Sequence, residues 1–234
     1  MIDAAKLVKT AHARLKVVAR PEDAPAMQAY MKTTQPFWGV KKPAREAIEK
    51  DLAKTFVPEN QADYERAVLA LWSGKRREEQ YLALNFAIRQ RAFVRFESMG
   101  LYERMIREGQ WWDTVDAIAS DLVSRVYLKD RKRMEPILAK WIDDENMWIR
   151  RTAILAHMQH KAETDEKTLY AHCLKRAHEK EFFIRKAIGW ALRHHSKTNP
   201  KAIEKFVRAN EAKLSPLSVR EALKVIERAR SRAK

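Results

Sequence analysis

The sequence predicts an all-α protein, a right-handed solenoid of stacked helix pairs with a basic concave groove. Three observations predict it. Apolar residues recur at i, i+3, i+4 and i+7 through most of the chain, while period-two alternation with β-branched enrichment is nowhere sustained. Breaks between these amphipathic stretches are frequent, which implies many short helices with short connections. A residue pattern also returns every 35 positions.

Taken in order, Ala4, Leu7, Val8, Ala11, Leu15 and Val18 form one apolar face of a first helix. Pro21 to Pro25 interrupts it, and Asp23 is placed to cap a short helix through Tyr30. Pro43 suits the first turn of the next helix. Further breaks are expected at Pro58 to Asn60, Ser73-Gly74, Ser98 to Gly100, Glu108 to Gln110, Asp143 to Asn146 and Thr198 to Pro200. Ser218, with Glu221 three residues on, reads as a capping box ahead of the last helix.

The repeat is seen by sliding Trp148-Ile149-Arg150-Arg151-Thr152-Ala153-Ile154 forward by 35 residues, onto Phe183-Ile184-Arg185-Lys186-Ala187-Ile188-Gly189. Both segments run aromatic, Ile, basic, basic. Sliding back by 35 puts Ile118 and Ala119 under Ala153 and Ile154, and a further step reaches Ala83 and Leu84. Helix pairs of this length stack into solenoids whose inner helices line one face, and HEAT-like repeats are the nearest class. No composition shift or linker divides the chain, so residues 1–234 are expected to form one domain.

Composition narrows the function. Lys and Arg number 47 against 31 Asp and Glu, a net charge of +16 that suggests a polyanionic partner, nucleic acid ahead of membrane. With five glycines, none closer than nine residues to another, no phosphate-cradling P-loop or dinucleotide fingerprint is present. The single cysteine, Cys173, excludes an internal disulfide and a thiolate zinc cage. The histidines, among them His157, His160, His172, His178, His194 and His195, lack ligand spacing, so no metal or cofactor is expected. Neither a secretory signal nor a membrane-length apolar run is seen, so a cytoplasmic, nucleoid-associated monomer is expected.

The same 35-residue offset orders the polar residues. Asp116 maps to Arg151 and Arg151 to Lys186, with Trp112 one turn before Asp116 and Trp190 one turn after Lys186. One carboxylate, two indoles and two cations therefore converge if the register holds. Indole faces attract cations, neighbouring positive charge keeps a carboxylate ionised, and a carboxylate so held stabilises an oxocarbenium-like transition state. Plainer readings stand beside this one. Tryptophans at helical spacing are usually core, as expected of Trp72, Trp141 and Trp148, with Trp111 facing inward more than Trp112. Asp116 could be a solvated or capping residue, and Arg151 could simply bridge Asp116 or a neighbouring repeat.

The strings Trp111-Trp112-Asp113-Thr114-Val115-Asp116, Trp148 to Leu155 and Phe182 to Trp190 resemble those of the bacterial AlkD-like alkylpurine DNA glycosylases. The resemblance runs from Tyr30-Met31-Lys32 to Leu214-Ser215-Pro216-Leu217-Ser218. It implies a HEAT-like solenoid that removes cationic N3- and N7-alkylated purines from duplex DNA by simple hydrolysis, without metal. It further implies Asp116 as the catalytic carboxylate, Trp112 and Trp190 as aromatic walls at the lesion, Arg151 as a backbone-orienting cation, and Tyr30 as a groove contact. Arg185 and Lys186 are expected to meet DNA as well. The chain departs from the family at Lys41-Lys42-Pro43-Ala44-Arg45-Glu46, where relatives often carry Thr before the proline and a basic residue in place of Glu46; Lys41 and Lys42 are expected to substitute. Two other classes stay open: a non-catalytic HEAT-repeat protein binding damaged or branched DNA, and a protein-binding scaffold.

Overall fold

The computed structural model describes residues 1–232, and among these every regular element is helical. The chain divides into two compact units, with the boundary between Leu101 and Tyr102, inside helix α6 (Met99–Gly109).

The first unit contains α1 (Ala4–Val18), α2 (Ala24–Met31), α3 (Lys42–Thr55), α4 (Gln61–Trp72) and α5 (Arg77–Arg89). Asp3 caps α1 by accepting from the Lys6 amide at 2.9 Å. Leu7, Ala11 and Leu15, one turn apart, are wholly buried where α1 packs on α3 and α4. Asn60 caps α4 through the Asp63 amide at 2.9 Å. Asp23 does precede α2, but its side chain makes no capping bond and pairs with Lys41 at 2.9 Å instead. Buried Glu78 accepts from the Trp38 and Val40 amides, both at 2.9 Å, stitching the extended segment before α3 to the first turn of α5. Gly39 within that segment has φ +79°, and a Cβ there would lie 1.8 Å from the Arg20 carbonyl oxygen, so only glycine fits. The break expected at Ser98 to Gly100 falls earlier: 3₁₀ turns occupy Arg91–Phe93 and Phe96–Ser98, and Gly100 is helical.

The second unit holds α7 (Trp112–Ala117), a π-helical stretch Ile118–Val123, α8 (Ser124–Lys129), α9 (Arg131–Trp141), α10 (Met147–Leu155), α11 (Glu166–Lys175), α12 (Phe182–Ser196), α13 (Pro200–Ala209) and α14 (Pro216–Arg232). The α7–α8 helix packs on α10, α10 on α12 and α12 on α14, while α9 packs on α8 and α10, α11 on α10, and α13 on α12 and α14. This is a helical repeat architecture. Helices α3, α5, α7, α10 and α12 begin at Lys42, Arg77, Trp112, Met147 and Phe182, 35 residues apart each time. The repeat-equivalent residues Ala83, Leu84, Ile118, Ala119, Ala153 and Ile154 are all buried. Trp72, Trp141 and Trp148 are core, as expected.

The connections between α10 and α11 and between α11 and α12 carry no Gly or Pro and were not among the expected breaks. The final capping signal is displaced by three residues. Ser215 accepts from the Ser218 amide at 3.1 Å, and Glu221 is freed from capping for another use.

Behind α10 lies a buried imidazole cluster. The His157 ring is 5.6 Å from His160, 5.9 Å from His172 and 5.3 Å from Tyr127, and neither of its nitrogens has a hydrogen-bond partner. Burial, reinforced by the charge of His160, His172, Arg131 and His195, holds His157 well below the ordinary 6.5; burial takes His160 down to about 4 and also lowers His172. Because the folded values lie below the unfolded one, the unfolded chain binds protons first as the pH falls. Stability is therefore present above pH 6.5 and lost as the pH drops towards 4, by about 1.4 kcal/mol per pH unit for each imidazole that stays neutral. Urea titrations at pH 7 and pH 5 test this: His157→Leu should shrink the difference in unfolding free energy by about 2 kcal/mol, whereas an unchanged difference would contradict the account.

Candidate active site

Asp116 stands on α7, one turn after Trp112, the first residue of that helix. Immediately beyond it the helix widens into its π segment, a feature common where a helix serves a site. The Ser120 hydroxyl donates to the Asp116 carbonyl at 2.7 Å. The carboxylate is met by Arg151 of α10 in a bidentate pair, Nε to Oδ1 at 2.7 Å and Nη2 to Oδ2 at 2.8 Å. Arg151 is 2% exposed and gives its remaining nitrogen, Nη1, to the Phe183 carbonyl of α12, with the guanidinium 5.7 Å from the Phe183 ring. One arginine thus joins three successive inner helices.

The expectation that neighbouring cations lower the Asp116 pKa is overturned. Burial pushes it above the ordinary carboxylate value, and the hydrogen bonds and charge of Arg151 oppose that rise without reversing it. The side chain still keeps 15% of its surface open.

Aromatic side chains back the pair. Trp111, Trp148 and Phe183 form a cluster with ring separations of 5.9, 5.5 and 4.9 Å, and Phe182 meets Phe183 edge-on at 5.4 Å. Trp112 on α7 and Trp190 on α12 are half-buried, on helices that both pack against α10. Trp111 and Trp112 are both partly buried, and Trp111 packs on Trp148 and Phe183.

Lys186 is not a free cation. Its Nζ donates to Glu221 of α14 at 2.6 Å, and Arg193 donates to the other carboxylate oxygen at 2.5 Å. Arg185 is partly buried, and its Nε is enclosed without a partner. In the first unit, Tyr30 is 73% exposed, Lys41 pairs with Asp23, and Lys42 is exposed at the start of α3. Glu46 pairs with Lys50 at 3.1 Å. Among the described residues no group of His, Cys, Asp and Glu is placed to hold a metal ion, and no helix is long and apolar enough to cross a membrane.

Sequence reasoning missed Phe183 as an acceptor for Arg151, and it missed Glu221. The second was within reach, since Glu221 stands 35 residues after Lys186.

Arg151→Met should strand a buried carboxylate, costing about 3–5 kcal/mol at neutral pH. Asp116 then relieves the cost by taking up a proton, so the variant should regain stability relative to wild type as the pH is lowered from 7 to 5. Thermal melts at the two pH values measure this, and an equal deficit at both would contradict it.

The family pattern described as DNA alkylation repair enzyme matches residues 11–226. Among solved structures, a predicted DNA alkylation repair enzyme from Enterococcus faecalis is 32% identical, with a TM-score of 0.80 over 88% of this chain and 95% of that one. No curated protein matches. The helical repeats, the run from Trp111 to Asp116 and these two likenesses agree: the chain belongs to the AlkD-like bacterial DNA alkylation repair enzyme family, with its HEAT-like helical fold.

Proposed function

We propose that the protein is a monofunctional DNA glycosylase that hydrolyses the N-glycosidic bond of cationic N3- and N7-alkylated purines in duplex DNA. The observation that carries this reading is the buried, bidentate pair between Asp116, on the helix that bears Trp112, and Arg151, on the helix against which that of Trp190 packs.

An alkylated purine already carries positive charge, so the bond to its sugar breaks with both electrons leaving on the base, which departs neutral. The sugar is left as an oxocarbenium ion. Asp116 faces that developing charge and aligns the water that adds to it, taking up the proton that the water loses as the abasic site forms and passing it to solvent. Arg151 acts behind the carboxylate. Its fork occupies one edge of Asp116 and fixes the plane of the group, leaving the outer lone pairs for sugar and water. Trp112 and Trp190 supply ring faces that attract a cationic nucleotide, each worth about 0.5–2 kcal/mol depending on desolvation. Tyr30, Lys41, Lys42 and Arg185 are the groups we assign to the DNA backbone, which suits the net charge of +16. In this reading Arg151, buried and fully engaged, orients the carboxylate rather than a phosphate.

Asp116→Asn should slow release of 7-methylguanine from methylated duplex about 10²–10⁴-fold while duplex affinity changes less than about threefold. Quantifying free base and filter-binding affinity side by side tests it. Unaltered release would remove Asp116 from the chemistry. Wild-type protein that binds duplex with strong salt dependence yet frees no base would favour the non-catalytic binder.

A further inference from the structure

Glu221 repeats the geometry of Asp116 with the charges reversed. In one pair the carboxylate comes from the earlier helix and the cation from the helix 35 residues on; in the other the cation comes first. The second pair has an extra member. Glu221 holds Lys186 at 2.6 Å on one oxygen and Arg193 at 2.5 Å on the other, and its side chain is only 9% exposed. Burial alone would raise its pKa, but the Lys186 hydrogen bond and the charges of Arg193, Lys186 and Lys224 hold it below the ordinary value.

The two cations flank one residue. Lys186 lies four positions before Trp190 and Arg193 three after it, each about one turn away along α12. Glu221 is locked to that turn by close packing. A Cβ on Gly189 would lie 2.6 Å from the Glu221 Cβ and 2.9 Å from the Ser218 carbonyl oxygen, so α12 and α14 meet at backbone distance beside Trp190. The Ser218 hydroxyl adds a hydrogen bond to the Arg185 carbonyl at 2.9 Å. A lysine and an arginine standing free here would act twice against a cationic lesion: they would repel the charged base from the indole and capture phosphates in its place.

We propose that Glu221 is a positioning residue that ties Lys186 and Arg193 away from the DNA backbone and cancels one of their two positive charges beside Trp190. This rests on the glycosylase reading above. Glu221 thereby selects for cationic bases without touching them, and it makes α14 part of the lesion-recognition machinery.

The test separates binding from chemistry. Glu221→Gln should free two cations, steepening the dependence of log affinity on log salt for undamaged duplex by up to about 1.8, or about 0.9 per newly contacted phosphate. Single-turnover release of 7-methylguanine should fall about tenfold. A variant that merely loosened α14 would weaken both. The triple variant Glu221→Gln/Lys186→Gln/Arg193→Gln should return the salt slope to the wild-type value or below and recover most of the release rate, since no uncompensated charge remains. Unchanged slope and rate in Glu221→Gln, or a triple variant slower still, would overturn the proposal while leaving the glycosylase reading intact. Wild-type protein that releases no base would overturn both.

Discussion

A period of 35 residues is the constraint on which the second unit depends. It sets the start of each inner helix, and it places equivalent side chains of successive helices against one another. Hydrogen bonds between residues 35 apart recur accordingly: Arg151 to Asp116, Lys186 to Glu221, and the Gln159 amide to the Ser124 hydroxyl. The apolar positions of the repeat bury fully and hold the spacing. Polar residues then have little choice of partner. Asp116 and Lys186 are each answered by a residue one period away, and desolvated charge left unanswered would be costly.

Asp116 and Glu221 show how the same rung serves different ends. Asp116 has one cation, and burial prevails, so its pKa lies above the ordinary value. Glu221 has two, together with Lys224 nearby, and its pKa lies below. A carboxylate whose single arginine leaves one edge open is suited to meet a transient positive charge. A carboxylate that answers two separate cations is suited to neutralise. The arginine at Asp116 also reaches the Phe183 carbonyl, so this rung is tied to α12 at a backbone atom as well as through side chains.

Most of the fold was legible because periodic apolar residues and prolines at helix boundaries act locally: α1, the Pro43 start of α3 and the Pro58 to Asn60 break before α4 could be read directly. The register was legible too, since a repeat shows itself in sequence. The breaks after α10 and α11 were not read, although Asp165 caps α11. Ser218 followed by Glu221 satisfied the pattern of a capping box, yet α14 begins two residues before that serine, at Pro216, and Glu221 finds cations on α12. At the site, the identity of the Asp116–Arg151 pair could be read from the offset, but the sign of the Asp116 pKa shift could not. That sign depends on how deeply the rung is buried, which no spacing reveals.

The central claim is that a buried carboxylate held by one arginine acts on nucleotides that already carry positive charge. The most direct measurement is base release at neutral pH from two duplexes identical except for the lesion, one bearing 7-methylguanine and the other the uncharged hypoxanthine. The account predicts free 7-methylguanine with an equal yield of abasic sites, and no release of hypoxanthine. Equal release from both, or abasic sites from neither, would contradict it.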